Sequence, residues 1–575
     1  MRIKSFIINN NIEIKLGKIN LFVGPKNVGK TQTLKDINIK MFHMHAKTVI
    51  LDSINYEFVN SYKNFNPGII TKELNSNFDY SKSKLINSNT KNYNNIDGIQ
   101  GEEIGNLKRN FSKYKIKIFD EVFIDKSKVL YLDVCSRLEI ANSIFGVNPY
   151  KGMPIIFLQS NMDNLKNIEN ELAKIVNLAF GKNIQLDYFS QGKLTFKINP
   201  NKFKKNLKDC KKLNNYINSF SIVDNQINAF KSFVCIILSI LLFKDKIILI
   251  DEPEAFLHPT QIEILGNLIG EYYLNNNNQI LIATRSYHFF GSILKNNQIS
   301  AFRLNRDHGF TQFDKISFKE LEQIDKNPIL YSLPILESLF YNGVVLCEGD
   351  SDRMFYKKVM NKIASDYDDK ILFINTHGKH TMKNIIPFIK SSNIPFKLIV
   401  DFDLLLSGDE FDKIIKELAT ERNYTKMISK RKKFSQIITN YGTEVEGEEE
   451  ELQKHIFQKL IRLLNKKSET KNNSDLSKLR KNIENFSRKS KVDRIKKNGI
   501  NAIDAENVPL VQQIIENSKK IGLFIVPYGD LECWIKHNIE KKKWIEYALT
   551  NIDNNISIQL HNFITDIYGS FKKKK

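Results

Sequence analysis

Cysteine is scarce in this 575-residue chain. Its five cysteines, Cys135, Cys210, Cys235, Cys347 and Cys533, are scattered and form no CxxC pair. That excludes a zinc ribbon and a disulfide framework, and fits the reducing environment of a cytoplasm. No apolar run is long enough for a bilayer. The longest, SFVCIILSILLF at Ser232 to Phe243, stops at Lys244, well short of the ~20 residues a spanning helix needs. It reads as a buried helix ahead of a strand. The opening MRIKSFIINN has no signal-peptide pattern. A cytoplasmic protein with no membrane partner is therefore expected. Acid is in deficit too: 64 Asp and Glu face 86 Lys and Arg, a formal net charge of +22. The excess favours a polyanionic partner, nucleic acid first, although a Lys- and Asn-rich composition would produce it unaided.

No internal repeat is evident, and the length exceeds what one core accommodates. An α/β chain in two parts is expected. INLFV at Ile19 to Val23 is a short strand-forming run that ends at Gly24, and TQTLKDINIKMFH after it has helical spacing. The runs at Ile247 to Ile250 and Gln279 to Ala283 read as buried parallel strands, with the helix QIEILGNLIGEYYL between them. From Gly343 a second alternation begins, with strand candidates VVLCE, KILFINT, FKLIVDFD and IGLFIVPYG. This places a domain boundary near residue 335, giving domains 1–335 and 336–575. Each carries an insertion, about 45–150 in the first and about 405–520 in the second. The first contains the polar stretch Asn75 to Asp97. The second contains EVEGEEEE at Glu444 to Glu451, followed by Lys454 to Lys497, where 15 Lys and Arg meet 4 Asp and Glu. That basic stretch is either a solvated helical face or a nucleic-acid clamp.

GPKNVGKT at Gly24 to Thr31 has the GxxxxGK[ST] spacing of a phosphate-binding loop. Gly24 and Gly29 let the backbone curl, and Asn27 lies in the loop between them. Lys30 would reach the β/γ-phosphates of ATP, and the Thr31 hydroxyl would meet Mg²⁺. Far downstream, KIILIDEPEAFLHP ends a buried strand in two acids. Asp251 suits the Mg²⁺ shell, and Glu252 suits polarising the attacking water. The run through QILIATRSYHFF resembles the ATP-binding-cassette head of the RecF, SMC and OLD-like ATPases, which dimerise around ATP. It departs from that pattern twice. Asn225 in VDNQINAF stands where a glycine is usual, and Arg285 replaces the histidine that meets the γ-phosphate, with His288 out of register. ATP binding with slow hydrolysis is the expectation.

VVLCEGDSD places Glu348 at a strand end, and KLIVDFD places Asp401 and Asp403 on alternate residues of another. Three such carboxylates suit Mg²⁺ or Mn²⁺ in two-metal phosphodiester chemistry, with Asp350 and Asp352 near enough for a second ion. Glu-Gly-Asp-x-Asp followed some fifty residues later by Asp-x-Asp resembles the TOPRIM pattern of topoisomerases, primases and OLD nucleases. An ATP-binding-cassette head fused to it resembles the overcoming-lysogenisation-defect (OLD) family, whose relatives include the Gabija nuclease subunit and retron-associated effectors. The resemblance covers the chain except its two insertions. It implies an ABC-type ATPase head with a helical insertion, followed by a Rossmann-like TOPRIM domain carrying a charged helical insertion. THGKHTMKNI at Thr376 to Ile385 sits where that family has a Gly-Lys turn. YGDLECWI resembles the motif whose acid completes the metal site, a role that falls to Glu532 first and Asp530 second. The family's phosphate-stabilising lysine corresponds to Lys543, with Lys541 and Lys542 as alternatives.

The expectation is thus an ATP-regulated, metal-dependent DNA endonuclease or nickase of anti-phage defence, a homodimer or larger homo-oligomer through its first half. A defence-system partner, a helicase or a reverse transcriptase with its nucleic acid, would fit. Two rivals stay open. One is a RecF- or SMC-like repair ATPase without nuclease activity, and the other is a TOPRIM ribonuclease that cuts tRNA.

Overall fold

The computed structural model of the chain describes residues 2–57, 129–140, 162–187, 193–199, 227–316, 334–440, 492–535 and 541–571, short gaps within them aside, with 144–145 and 221–222. It divides into two compact units, Met1–Ile316 and Ser317–Lys575.

Strands β1 (Arg2–Ile8), β2 (Ile12–Lys15) and β3 (Ile19–Val23) open the first unit, followed by helix α1 (Lys30–Phe42) and β4 (Leu51–Glu57). β1 pairs antiparallel with both β2 and β4 in a small sheet. β3 instead enters a six-stranded sheet whose other strands come from later in the chain. Helices α2 (Val134–Ile140), α3 (Met162–Phe180) and α4 (Asn228–Leu242) follow β5 (Val129–Leu132). The short strands β6 (Ile144–Phe145), β7 (Asn183–Asp187), β8 (Lys193–Asn199) and β9 (Ser221–Ile222) form a side sheet among them. Then come β10 (Ile247–Asp251), α5 (Pro259–Tyr272), β11 (Gln279–Ala283), α6 (Tyr287–Ile293) and the hairpin β12 (Ile299–Asp307) and β13 (Phe310–Lys315).

The six-stranded order is β13-β12-β3-β11-β10-β5, parallel except at the hairpin. β3, β10 and β11 are buried along their whole length, which explains their unbroken apolar sequence. His308 (φ 47°) and Gly309 (φ 88°) make the two-residue turn between β12 and β13, the pair of positive φ values that a tight hairpin requires. One core joins the two sheets and α1 through Phe6, Phe22, Leu34, Ile37, Leu249 and Leu304. β4 and β5 lie inside the span expected as an insertion, yet each pairs within a sheet of this unit.

The second unit is built on four parallel strands in the order β15-β14-β16-β17: β14 (Gly343–Cys347), β15 (Ile371–Asn375), β16 (Phe396–Val400) and β17 (Leu523–Ile525). Helix α7 (Asp350–Ile363) follows β14 and α8 (Lys379–Ser391) follows β15. After β16 come a 3₁₀ turn (Phe402–Leu405), α9 (Gly408–Leu418) and α10 (Glu421–Asn440); α11 (Val508–Lys520) leads into β17. A second 3₁₀ turn (Leu531–Trp534), α12 (Lys541–Thr550) and α13 (Ile558–Gly569) close the unit. Both of the chain's tryptophans lie in its core, beside Phe355, Tyr356 and Phe563. Each indole N–H finds an acceptor, Trp534 on the Tyr356 hydroxyl (3.0 Å) and Trp544 on the Ile535 carbonyl (2.9 Å), as a buried polar edge demands. The acidic run and most of the basic stretch lie outside the described residues, as do Asn75 to Asp97 and Asn225.

Candidate functional site

The phosphate loop sits between β3 and α1. Gly24 (φ 144°), Asn27 (φ 62°) and Gly29 (φ 102°) all take the left-handed region, which turns the loop back over the start of α1. A Cβ on Gly24 would lie 2.4 Å from the Leu304 carbonyl oxygen, so only glycine fits there. The Lys30 ammonium donates to the Gly24 and Pro25 carbonyls (2.7 and 2.6 Å). Burial, and then the charge of Arg285, lower its pKa from 10.5 to about 8. Two cations thus act on one another at the N-terminus of α1, an arrangement that favours an anion.

Asp251 ends β10, and its carboxylate accepts from the Thr31 hydroxyl (3.0 Å). This brings together the two Mg²⁺ candidates, 220 residues apart. Burial pushes the Asp251 carboxyl up. Glu252 has φ 48°, and its N–H donates to the Ala283 carbonyl (2.8 Å). Its carboxylate pairs with Arg285. Glu254 accepts from the Thr284 hydroxyl (2.8 Å) and the Arg285 N–H (2.6 Å), locking the β11 end to the strand beside it. His288 lies 3.3 Å from Glu263 instead.

Arg137 escaped the sequence reading. It is fully buried. Its guanidinium donates to the Ser232 hydroxyl (2.9 Å), the Leu132 carbonyl (3.1 Å), the Asp251 carbonyl (2.5 Å) and the Glu252 carbonyl (2.9 Å). It fastens α2 and α4 to the backbone of the two acids. Nothing in its local sequence marks it; a helical arginine reads as a surface residue until its partners arrive from 95 and 114 residues away.

In the second unit, parallel pairing of β14 and β16 brings their carboxyl ends side by side. The Glu348 carboxylate accepts from the Asp401 N–H (2.7 Å). Burial raises the Glu348 pKa to about 7, against the lowering effect of Lys379. Burial, then Glu348, Asp352 and Asp403, push Asp401 well above the usual carboxylate range. Asp352 caps α7 through the Gly349 N–H (3.0 Å), and Asp350 pairs with Arg353 (2.7 Å). Glu532 lies on the Leu531–Trp534 turn, with Asp530 just before it. That turn is tied to the Asp401–Asp403 segment by the Phe402 N–H on the Gly529 carbonyl (3.0 Å). Gly529 (φ 119°) cannot be replaced, because a Cβ there would lie 2.2 Å from the Lys497 carbonyl oxygen. Lys543 is exposed on α12. The lysine among the carboxylates is Lys379, whose ammonium pairs with Asp403 and lies 3.5 Å from Glu348.

Among the described residues no group of three or more His, Cys, Asp or Glu side chains is already arranged around a metal ion. The donor set nonetheless fits a hard dication. It is all oxygen, and the raised pKa values of Glu348 and Asp401 report burial and mutual repulsion that a dication would relieve. In the first unit, the glycine cradle, the Lys30–Arg285 pair and the Thr31–Asp251 contact likewise fit a nucleotide with its Mg²⁺. No described helix is long and apolar enough to cross a membrane.

Segments of both units match known families. Residues 339–403 match the model of the overcoming lysogenization defect protein-like TOPRIM domain. Residues 229–290 match that of an AAA domain described as a putative AbiEii toxin of a type IV toxin–antitoxin system. Endonuclease GajA of Bacillus cereus (strain HuB5-5) is 26% identical over 196 residues, 29% of this chain and 27% of that protein. The OLD nuclease of Thermus scotoductus (strain ATCC 700910 / SA-01) is 24% identical over 169 residues, 27% of this chain and 31% of that protein. The aligned stretch thus spans under a third of either relative. Among solved structures, an Smc head bound to the C-winged helix domain of ScpA covers 56% of this chain and 100% of its own, at 12% identity and a TM-score of 0.35. The SMC head domain from Thermotoga maritima covers 55% and 100%, at 10% identity and a TM-score of 0.27. The first unit thus carries a segment that matches an AAA-type ATPase domain and the second a segment that matches an OLD-like TOPRIM domain, each in mixed α/β surroundings.

Proposed function

We propose that the chain is a nucleotide-regulated, divalent-metal-dependent DNA endonuclease of OLD type, acting in the cytoplasm in defence against phage. One observation carries the reading: Glu348, Asp401 and Asp403 gather at the carboxyl ends of two adjacent buried strands, inside the segment that matches an OLD-like TOPRIM domain. A RecF-like repair ATPase would leave this cluster of partly buried, mutually repelling acids without a purpose, and gathering carboxylates in that way is costly.

Glu348, Asp352, Asp401, Asp403 and Glu532 would hold Mg²⁺ or Mn²⁺, and Thr31 with Asp251 would hold the ion that accompanies ATP. A bound divalent ion supplies a polarised phosphate and an activated water. The protein's own contribution is to position. The Asp401 N–H fixes the Glu348 carboxylate, and the Gly529 carbonyl fixes the loop between Asp401 and Asp403. Lys30 and the loop N–H groups grip the nucleotide phosphates, and Glu252 orients water for a hydrolysis that Arg285 restrains. Heads of this class pair around ATP, so a homodimer or larger homo-oligomer would link nucleotide state to the nuclease domains.

The test is cleavage of supercoiled plasmid with Mg²⁺ or Mn²⁺, with parallel RNA substrates including tRNA. Asp401→Ala should lower the rate by orders of magnitude while leaving ATP binding intact. A wild-type rate from that variant would sink the assignment, and selective tRNA cleavage would replace DNA with RNA as substrate.

A further inference from the structure

Lys379 is held among the carboxylates by the backbone around it. The Thr376 N–H and hydroxyl both donate to the Cys347 carbonyl (2.9 Å each), and the Gly378 N–H donates to the Glu348 carbonyl (2.8 Å). The turn carrying Lys379 is thereby stitched to the strand end carrying Glu348. His377 (φ 53°) and Gly378 (φ 108°) take the left-handed region to make that turn. The Lys379 side chain is only 10% exposed. It is also the first residue of α8, where the helix dipole disfavours a cation. A lysine in that position persists because something nearby compensates it, and here the compensation is Glu348 and Asp403.

We propose that Lys379 is a built-in counter-cation of the nuclease centre, a positioning residue that offsets part of the charge of Glu348 and Asp403 in the metal-free chain and competes with the divalent ion for them. The inference rests on the metal-site reading above. A dication loading on the oxygens that the ammonium now meets would displace it from at least one carboxylate, because a cation and a dication at the same oxygens repel strongly. The centre therefore carries less uncompensated negative charge without metal, at the expense of affinity for it.

The test measures Mn²⁺ binding by calorimetry, on full-length wild type, Lys379→Gln, Lys379→Arg and Asp401→Ala. Lys379→Gln should bind Mn²⁺ more tightly, on the order of tenfold or more, and its metal-free form should melt at a lower temperature. Lys379→Arg, which keeps the charge, should bind like wild type. Independently of any variant, amine acylation of wild type followed by mass spectrometry should label Lys379 faster with Mn²⁺ than with EDTA. Unchanged or weaker Mn²⁺ binding by Lys379→Gln, or equal labelling in both states, overturns the counter-cation role. If wild type binds Mn²⁺ and Asp401→Ala does not, the metal-site reading stands even as that role falls. If wild type binds none, both fall.

Discussion

Arg285 stands where the resemblance to ATP-binding-cassette heads implies a histidine, and its guanidinium pairs with the Glu252 carboxylate. The pair is partly exposed, with Arg285 52% and Glu252 25% accessible, so it is worth only ~0.2–1 kcal/mol and a nucleotide can displace it. While it persists, the Arg285 guanidinium occupies one oxygen of the Glu252 carboxylate that would orient water. Arg285→His should therefore raise phosphate release above wild type, and Glu252→Gln should abolish the gain. A wild-type rate near ~10 s⁻¹, ordinary for enzymes, would contradict the restraint. Lys30 provides a pH signature. Its folded pKa, about 8, lies below the ordinary 10.5. Between those values the unfolded chain holds the extra proton, so the nucleotide-free unit gains stability as pH rises through that window. Nucleotide binding needs the protonated ammonium, so ATP affinity should fall above about pH 8. Titrations of wild type and Lys30→Ala across pH 7 to 10 check this, and a flat wild-type profile would contradict it.

Among the elements, strands were the most legible. All four strand candidates of the second unit appear, because a parallel strand buried on both faces must be a short apolar run bounded by turns. The acids that end β10, β14 and β16 could be read for the same reason. The roles of Arg137 and Lys379 could not, since they exist only through partners brought in by topology. β4 and β5 were hidden because their pairing partners are distant in sequence. α10 shows how an element can serve two surfaces. Met427, Arg431 and Phe434 are buried on one side, with the Phe434 ring 6.5 Å from Phe402 between the two acids. Arg422, Lys426 and Lys433 are exposed and fall within about 40° of one another on the opposite side. If that stripe follows a nucleic-acid backbone, changing all three to Gln in an Asp401→Ala background should flatten log K against log salt by up to about 0.9 per lost contact. An unchanged slope would make it a solvated face.

At the scale of the molecule, each site draws its described residues from one compact unit: the phosphate loop, Asp251, Glu252 and Arg137 from Met1–Ile316, the carboxylates and Lys379 from Ser317–Lys575. Ligands that bind only the folded state raise the melting temperature of the unit they occupy. Calorimetry should therefore resolve two transitions, one shifted upward by Mg²⁺-ATP and the other by Mn²⁺ alone. Lys30→Ala should remove the first shift and leave the second. A single transition moved equally by both ligands would show that the units unfold together. The same partition bears on how such chains diversify. A crossover between residues 316 and 317 breaks no hydrogen bond described within either site, so heredity can exchange the phosphate-loop half and the carboxylate half as separate cassettes. Lineages descended from such exchanges would show two discordant genealogies within one reading frame.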